Sequence, residues 1–239
     1  MEPFELSLME EGVQSRFERE LGPFVMSVLQ AKPELIVVSG SVVLDVLNRT
    51  SFASDIDIFC VRSEALKACH EAVLAGFVVN QYVRKSYTEG AFDRYQILVS
   101  DFKQVDIVVC ACPLNSVARF DLNHNKVAFD GQCMWRYRGW NSERVTMLRY
   151  PLCIIDDFFA ETDKLDKSKL YDSVLRLFGI DFVRTMIRIG KYRARGYEIL
   201  DTCQTPISLT VDKMELLYLL ATQKPKELVQ PFNENSYGC

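Results

Sequence analysis

The segment Asp55-Ile56-Asp57-Ile58 most constrains the fold, because carboxylates and aliphatic side chains alternate in it. Successive side chains of a β-strand point to opposite faces, so the alternation predicts a strand with both aspartates on one face. Two carboxylates placed in this way lie about 7 Å apart and repel each other unless a cation lies between them. The segment therefore predicts a divalent metal site, and the alternative is an exposed, solvated strand edge.

Strands and helices are predicted to alternate around this segment. A β-branched run at residues 35–39 indicates a buried strand that ends at Gly40, and a helix over 42–47 follows it. Apolar spacing predicts two short helices over 6–30, broken at Gly22-Pro23. The remaining expected elements are a helix over 63–75 and strands at 77–83, 95–99 and 104–109. This order predicts an α+β fold with a mixed sheet flanked by helices.

The second half of the chain is predicted to be mainly helical. A hairpin is expected around Asp130-Gly131, and helical spacing runs from 154 to 195. We therefore expect a core domain at residues 1–125, which includes the N-terminal helices, and a mainly helical region at 126–239 that closes a cleft. Because no Gly/Ser-rich linker separates the two regions, the sequence does not define the position of this boundary sharply.

Two further features are candidates for chemistry. Asp106 lies between Val105 and Ile107 in an apolar strand, where a carboxylate is costly unless it is paired or binds a metal ion. Gly40-Ser41 joins a strand to a helix and is commonly no more than a tight turn. Alternatively, the glycine lets the backbone approach a phosphate, to which the serine hydroxyl and the helix N-terminus donate hydrogen bonds.

The ordered set of Gly40-Ser41, thirteen intervening residues, Asp55-Ile56-Asp57 and the later Asp106 resembles the nucleotidyltransferase superfamily. That superfamily includes DNA polymerase beta, poly(A) polymerases, oligoadenylate synthases and antibiotic adenylyltransferases. The resemblance covers residues 35–110 and implies a nucleotidyltransferase-like core. The segments 120–131 and 191–196 loosely resemble uncharacterised nucleotidyltransferase-like proteins of large DNA viruses and fungi.

The resemblance also implies a reaction, the transfer of a nucleoside monophosphate from a nucleoside triphosphate to an acceptor such as an RNA end. Two Mg²⁺ or Mn²⁺ ions about 3.5–4 Å apart would activate the acceptor hydroxyl and steady the leaving pyrophosphate. By position, Asp55 and Asp57 would bind both ions, and Asp106 would hold the catalytic ion. Gly40 and Ser41 would contact the triphosphate.

A basic helix is the next candidate for binding phosphate. Arg184, Arg188, Lys191 and Arg195 are spaced so that they line one helix face. They form either an ordinary solvated face or a wall that binds a triphosphate or an RNA backbone. The aromatic and basic run at 135–140 predicts either hairpin packing or base stacking. His124 could act as a base for an acceptor hydroxyl, but a lone histidine in a polar loop is expected at the surface.

Composition narrows the classes of function. The net charge of −4 argues against a nonspecific nucleic-acid binder. Residues 126–195 contain 14 Lys and Arg against 9 Asp and Glu, so this stretch carries +5 and the rest of the chain −9. The eight cysteines form no C-x-x-C pair, which favours buried reduced thiols. No stretch approaches the roughly 20 apolar residues of a membrane helix, so we expect a cytoplasmic protein.

Two other classes of function remain open at the level of sequence. The fold can serve as a non-catalytic nucleotide-sensing or protein-interaction module. The aspartates can also be coincidental in a structural protein. The presence of all three carboxylates favours the enzyme, in which they retain a metal-binding role.

Overall fold

A computed structural model describes residues 4–7, 9, 12–31, 35–83, 93–99, 104–225 and 229–232. The chain divides into two compact units. One, here called the sheet unit, comprises residues 1–120, 125–140 and 227–239, and the other, the helical unit, comprises residues 121–124 and 141–226.

The described residues form eleven strands and eight α-helices. The strands are β1 Phe4–Ser7, β2 Ile36–Ser39, β3 Asp55–Cys60, β4 Val78–Val83, β5 Asp93–Leu98, β6 Gln104–Val109, β7 Val127–Phe129, β8 Met134–Tyr137, β9 Arg144–Thr146, β10 Glu198–Leu200 and β11 Val229–Pro231. The helices are α1 Val13–Ala31, α2 Ser41–Asn48, α3 Arg62–Leu74, α4 Pro113–Ala118, α5 Leu152–Asp163, α6 Leu170–Phe178, α7 Ile180–Ala194 and α8 Val211–Gln223.

Nine of these strands form one mixed sheet in the order β1-β8-β7-β2-β3-β6-β5-β4-β11. Strands β3 and β6 pair in parallel, and the other neighbours pair antiparallel. The predicted α+β class with a mixed, helix-flanked sheet is confirmed.

The two faces of the sheet differ in character. One face carries Ile56 and Ile58, both essentially inaccessible to solvent, and packs against α1, α2 and α3. On this face Phe17 of α1 stacks on Phe129 of β7 with ring centroids 4.0 Å apart. The opposite face carries Asp55, Asp57 and Phe59, and α4 covers the end of it around Phe59. The aspartates therefore lie on the face that α1, α2 and α3 leave open.

The helical unit is built from α5 to α8 together with a short parallel pair of strands, β9 and β10. Its core contains aromatic rings, among them Phe158, which contacts Phe178 and Phe182 at centroid distances of 5.4 and 5.3 Å. Asp201 accepts backbone hydrogen bonds from Thr205, Leu152 and Cys203, and these bonds lower the pKa of its carboxyl group.

Most predicted elements of the sheet unit occur where the sequence places them. Helix α1 is interrupted at Gly22, whose φ of 77° precedes Pro23, as the predicted break requires. The hairpin around Asp130 is formed by β7 and β8. The short strand β1 lies where the first predicted helix was expected to begin. Its backbone pairs with β8 instead of forming the hydrogen bonds of a helix. Within the described part of the chain, none of the helices combines the length and the apolar content of a membrane span.

Candidate metal and phosphate site

Three aspartates meet on the open face of the sheet. Asp57 of β3 lies directly opposite Asp106 of β6 in the parallel pairing, and Asp55 lies two residues before Asp57 on the same strand. One carboxylate oxygen from each of the three residues lies within 4.8 Å of the others. Oxygen atoms of this kind at this spacing suit a hard divalent cation such as Mg²⁺ or Mn²⁺.

Asp55 has an unsatisfied buried oxygen. Its Oδ1 is inaccessible to solvent and has no hydrogen-bond partner among the described residues. A buried carboxylate oxygen without a partner is costly, because it has lost its water without gaining a donor or a cation in exchange. A cation held among the three carboxylates would compensate Asp55, so the residues present fit a divalent metal ion.

Asp106, in contrast, is fully buried and well paired. Its Oδ2 accepts hydrogen bonds from the Arg94 guanidinium and from the Gln104 amide at 3.3 Å. Its Oδ1 accepts from the Gln96 amide at 3.4 Å, and Gln96 in turn accepts from the Tyr82 hydroxyl at 2.8 Å. An apolar strand therefore tolerates this carboxylate through a network that spans β4, β5 and β6.

Gly40 connects β2 to α2 beside the carboxylates. Its φ of 86° is a conformation that side-chain-bearing residues rarely adopt, which supports the tight-turn interpretation. A β-carbon at Gly40 would also lie 3.0 Å from Asp57 Oδ2, so the glycine leaves room for this carboxylate. Asp57 thus borders the space beside Gly40 in which we expected a phosphate.

Ser41 is the first residue of α2 and is 6% exposed. No hydrogen bond of its hydroxyl occurs among the described residues, and no side chain caps the helix. The first backbone N–H groups of any helix lack intrahelical acceptors. Ser41 and this helix terminus therefore offer donors next to the carboxylates, which is the chemistry that binds a phosphate.

Asp45 of α2 organises the loop that leads into β3, a role that sequence reasoning missed. Its buried carboxylate accepts from the Thr50 hydroxyl and the Ala53 backbone N–H, each at 2.5 Å. The backbone N–H of Thr50 also donates to the Asp45 carbonyl at 2.9 Å. Because Asp55 follows this loop directly, Asp45 helps to place the first carboxylate. Its one signal in the sequence is an aspartate on a buried helix face.

Of the predicted basic residues, Arg184, Arg188 and Lys191 lie on α7 in the helical unit, and Arg195 directly follows its end. Arg188 donates to both oxygens of the buried Asp121 carboxylate at 2.6 Å, and the Thr185 hydroxyl donates to the same group. Arg184 is partly buried, whereas Lys191 is exposed. The role of Arg184, Arg188 and Lys191 in binding nucleotide stays a prediction, and Arg188 already serves as the counter-ion of Asp121.

The other candidates from the sequence have structural roles. The Trp135 indole donates to Asp130 at 2.7 Å and packs beside the apolar cluster around Phe59, which agrees with hairpin packing. His124 is not at the surface as expected. It is fully buried with its ring 4.1 Å from the Tyr192 ring, and burial, with a smaller effect of Arg195, lowers its pKa to about 3.

The described cysteines are free thiols. Burial raises the pKa of Cys60 and Cys69, the latter to about 12, so these two thiols stay protonated near neutral pH. Burial is confirmed for Cys60, Cys69 and Cys110, whereas the prediction is wrong for Cys133, which is partly exposed, and for the exposed Cys112, Cys153 and Cys203.

No protein-family model and no curated protein matches the sequence. Among solved structures, the Thermotoga maritima CCA-adding enzyme complexed with tRNA is similar at 14% identity and a TM-score of 0.49, over 93% of this chain and 47% of that one. An apo form of a CCA-adding enzyme is similar at 16% identity and a TM-score of 0.49, with the same coverage. A complex of a CCA-adding enzyme with ATP is similar at 15% identity and a TM-score of 0.45, over 80% and 51%.

The chain thus spans about half the length of these structures. Identities of 14% to 16% and TM-scores below 0.5 do not indicate a shared activity. The function has to follow from the residues of this chain.

Proposed function

We propose that this chain is a metal-dependent nucleotidyltransferase, which transfers a nucleoside monophosphate from a nucleoside triphosphate to an acceptor hydroxyl. The observation that carries the proposal is the meeting of Asp55, Asp57 and Asp106 within 4.8 Å, directly beside the Gly40 turn. The three aspartates offer ligands for a cation, and the turn with the start of α2 offers hydrogen-bond donors for a phosphate. A nucleoside triphosphate with its metal ion needs both.

The proposed division of labour follows from these contacts. Asp55, with its unsatisfied Oδ1, and Asp57 would hold Mg²⁺ or Mn²⁺. Bound there, the ion would neutralise the phosphates and lower the pKa of the acceptor hydroxyl. Ser41 and the α2 N-terminus would donate hydrogen bonds to the triphosphate. Asp106, oriented by its hydrogen bonds, would bind the catalytic ion and orient the acceptor.

The reaction itself is a displacement at the α-phosphate. The acceptor oxygen forms a bond to the α-phosphorus while the bond from that phosphorus to the bridging oxygen of the β-phosphate breaks. Pyrophosphate leaves with the electron pair of the broken bond, and the acceptor hydroxyl passes its proton to water. A polyanionic acceptor such as an RNA end is proposed because α7 carries Arg184, Arg188 and Lys191, although Arg188 is paired with Asp121.

The proposal is tested by incubating the protein with each α-³²P-labelled nucleoside triphosphate, Mg²⁺ or Mn²⁺, and a mixed pool of RNA and proteins. We expect label to enter one class of acceptor, and we expect Asp57→Asn and Asp106→Asn each to abolish the transfer. Glu71→Gln is the matched control, because it removes an exposed carboxylate from α3 in the same unit. Transfer that survives in both aspartate variants would refute the assignment of the site.

A second candidate function is favoured by one observation. The Arg94 guanidinium neutralises Asp106, and a carboxylate that is already neutralised does not need a cation. The same fold could then bind a nucleotide without catalysis, as a sensor or interaction module. Nucleotide binding with no labelled product under any metal, and with no effect of Asp106→Asn on that binding, would support this alternative.

A further inference from the structure

Arg94 contacts the third carboxylate of the cluster from the neighbouring strand. Arg94 of β5 lies two residues before Gln96, which is directly opposite Asp106 of β6. The side chain of Arg94 is 27% exposed and that of Asp106 is 0% exposed. The guanidinium also lies over the Tyr82 ring, 5.6 Å from its centroid. The positively charged Arg94 side chain, most of which is covered, therefore borders the proposed metal site.

The hydrogen bonds of Asp106 limit how it can bind an ion. An ionised carboxylate offers about four lone-pair directions. Three of these are used in accepting from Arg94, Gln104 and Gln96. The one that remains is on Oδ1, and one oxygen of Asp106 lies within 4.8 Å of oxygens of Asp55 and Asp57. Asp106 can thus contribute one ligand bond while the network holds its orientation.

The charges of the cluster point to a second effect of Arg94. Three carboxylates without a counter-ion would bind a divalent cation very strongly and would repel one another in its absence. Arg94 removes part of this repulsion, and it also repels any cation that enters the cluster. Hydrogen-bonded groups behind a metal ligand are known to orient it and to tune the affinity for the ion.

We propose that Arg94 is a positioning residue that fixes the orientation of Asp106 and weakens the binding of divalent metal by the three aspartates. This inference rests on the proposed function, since it assumes that the aspartates bind metal. It reconciles the Arg94–Asp106 pair with catalysis, because the pair leaves one Asp106 ligand direction open.

The proposal predicts opposite changes in metal affinity and in turnover. Removing the Arg94 charge should tighten Mn²⁺ binding by about tenfold or more, because a repelling charge close to the ion is lost. The same change should lower nucleotidyl transfer, because Asp106 loses its strongest orienting contact. A merely structural arginine would behave differently, and its loss would weaken metal binding and turnover together as the site loosens.

The experiment uses Mn²⁺ as the probe and compares Arg94→Gln, Arg94→Lys and the control Arg138→Gln with wild type. Arg138 carries the same charge in the same unit and forms an exposed pair with Glu5. Mn²⁺ affinity is measured by calorimetry and electron paramagnetic resonance without nucleotide, and melting temperatures are measured with chelator and with Mn²⁺. We expect Arg94→Gln to have a lower melting temperature than wild type in chelator and a larger rise in melting temperature when Mn²⁺ is added. Arg138→Gln should match wild type in both measurements.

Arg94→Lys separates charge from geometry. Lysine keeps the charge but lacks the planar fork, so Mn²⁺ affinity should stay within about threefold of wild type while turnover falls. Unchanged or weaker Mn²⁺ binding in Arg94→Gln overturns the proposal. If that variant does not fold, wild-type turnover in Arg94→Lys overturns it instead. Failure of wild type to bind Mn²⁺ counts against the proposed function, whereas equal binding by wild type and Arg94→Gln counts against Arg94 alone.

Discussion

Gly40 lies directly against the carboxylate of Asp57, and a β-carbon added at Gly40 would be 3.0 Å from Asp57 Oδ2. The residue that turns the chain from β2 into α2 thus also borders one of the three proposed metal ligands. Because Ser39, which precedes it, lies opposite Asp57 in the β2–β3 pairing, the contact is fixed by the register of the sheet. A change at Gly40 should therefore affect both the proposed phosphate contacts and the proposed metal ligand Asp57.

Replacement of Gly40 by alanine should impair both folding and metal binding. The positive φ should cost about 1–3 kcal/mol of stability, and the new methyl group should displace Asp57. Gly76→Ala is the control, because Gly76 has a φ of 84° and a β-carbon added there would meet no described atom within 4 Å. Chemical denaturation should show similar losses in both variants. Mn²⁺ affinity should fall only in Gly40→Ala, and equal affinities would show that Gly40 serves the turn alone.

Replacement of Asp45 by alanine should loosen the loop before β3. The Thr50 hydroxyl and the Ala53 backbone N–H would lose their acceptor, at a cost of about 1–3 kcal/mol. We also expect Mn²⁺ to bind several-fold more weakly, because Asp55 follows the loop. Asp130→Ala is the control, since Asp130 accepts three comparable hydrogen bonds in the β7–β8 hairpin. If both variants bind Mn²⁺ equally well, Asp45 has no part in placing Asp55.

The Arg188–Asp121 pair should contribute to the stability of the helical unit. Arg188→Gln leaves the buried Asp121 carboxylate without its cation, but the Arg188 side chain is 47% exposed and partly screened by water. We therefore expect a loss of about 1–2 kcal/mol, much of which Asp121→Asn should restore in the double variant. Arg144→Gln breaks an exposed pair with Glu198 and should cost less than about 0.5 kcal/mol. Additive losses in the double variant would contradict this coupling.

Acid should destabilise the protein through His124. Its pKa is lowered from 6.5 to about 3 in the folded state, so below pH 6.5 the unfolded chain binds a proton that the native chain does not. Stability should fall with decreasing pH from 6.5 toward 3, by up to about 1.4 kcal/mol per pH unit from this group. His124→Gln should reduce the slope of unfolding free energy between pH 6.5 and 5. The exposed His70 is the other histidine, and a slope that responds equally to His70→Gln would exclude His124 as the cause.

The RNA-acceptor proposal predicts a salt dependence of binding. Each released phosphate contact contributes about 0.7 to the slope of log affinity against log salt for a single strand, so the basic residues of α7 should give roughly −2 to −3. Changing Arg184, Arg188 and Lys191 to glutamine should flatten the slope, and Arg184→Gln with Lys191→Gln should do so without breaking the Asp121 pair. Lys164→Gln is the control, at an exposed lysine that directly follows the end of α5. A failure to bind RNA would favour a protein or small-molecule acceptor. So would a salt-dependence slope that these substitutions leave unchanged.

The sequence by itself determined the local geometry of the site. Alternation in β3 places Asp55 and Asp57 on one face because the period of a strand is two residues, whatever it pairs with. The break at Gly22-Pro23 and the turn at Gly40 likewise follow from the backbone preferences of glycine and proline. These properties depend on neighbouring residues only, so they can be recognised without knowing the fold.

The tertiary structure alone decided which distant residues meet. Asp106 lies opposite Asp57 because β3 and β6 pair in parallel in one register, and its partner Arg94 comes from a third strand. Arg188 faces Asp121 and His124 is buried against Tyr192 through packing within the helical unit. Strand register and burial are set by the combined packing of segments far apart in the chain. The spacing of residues along one segment does not reveal which other segments it packs against.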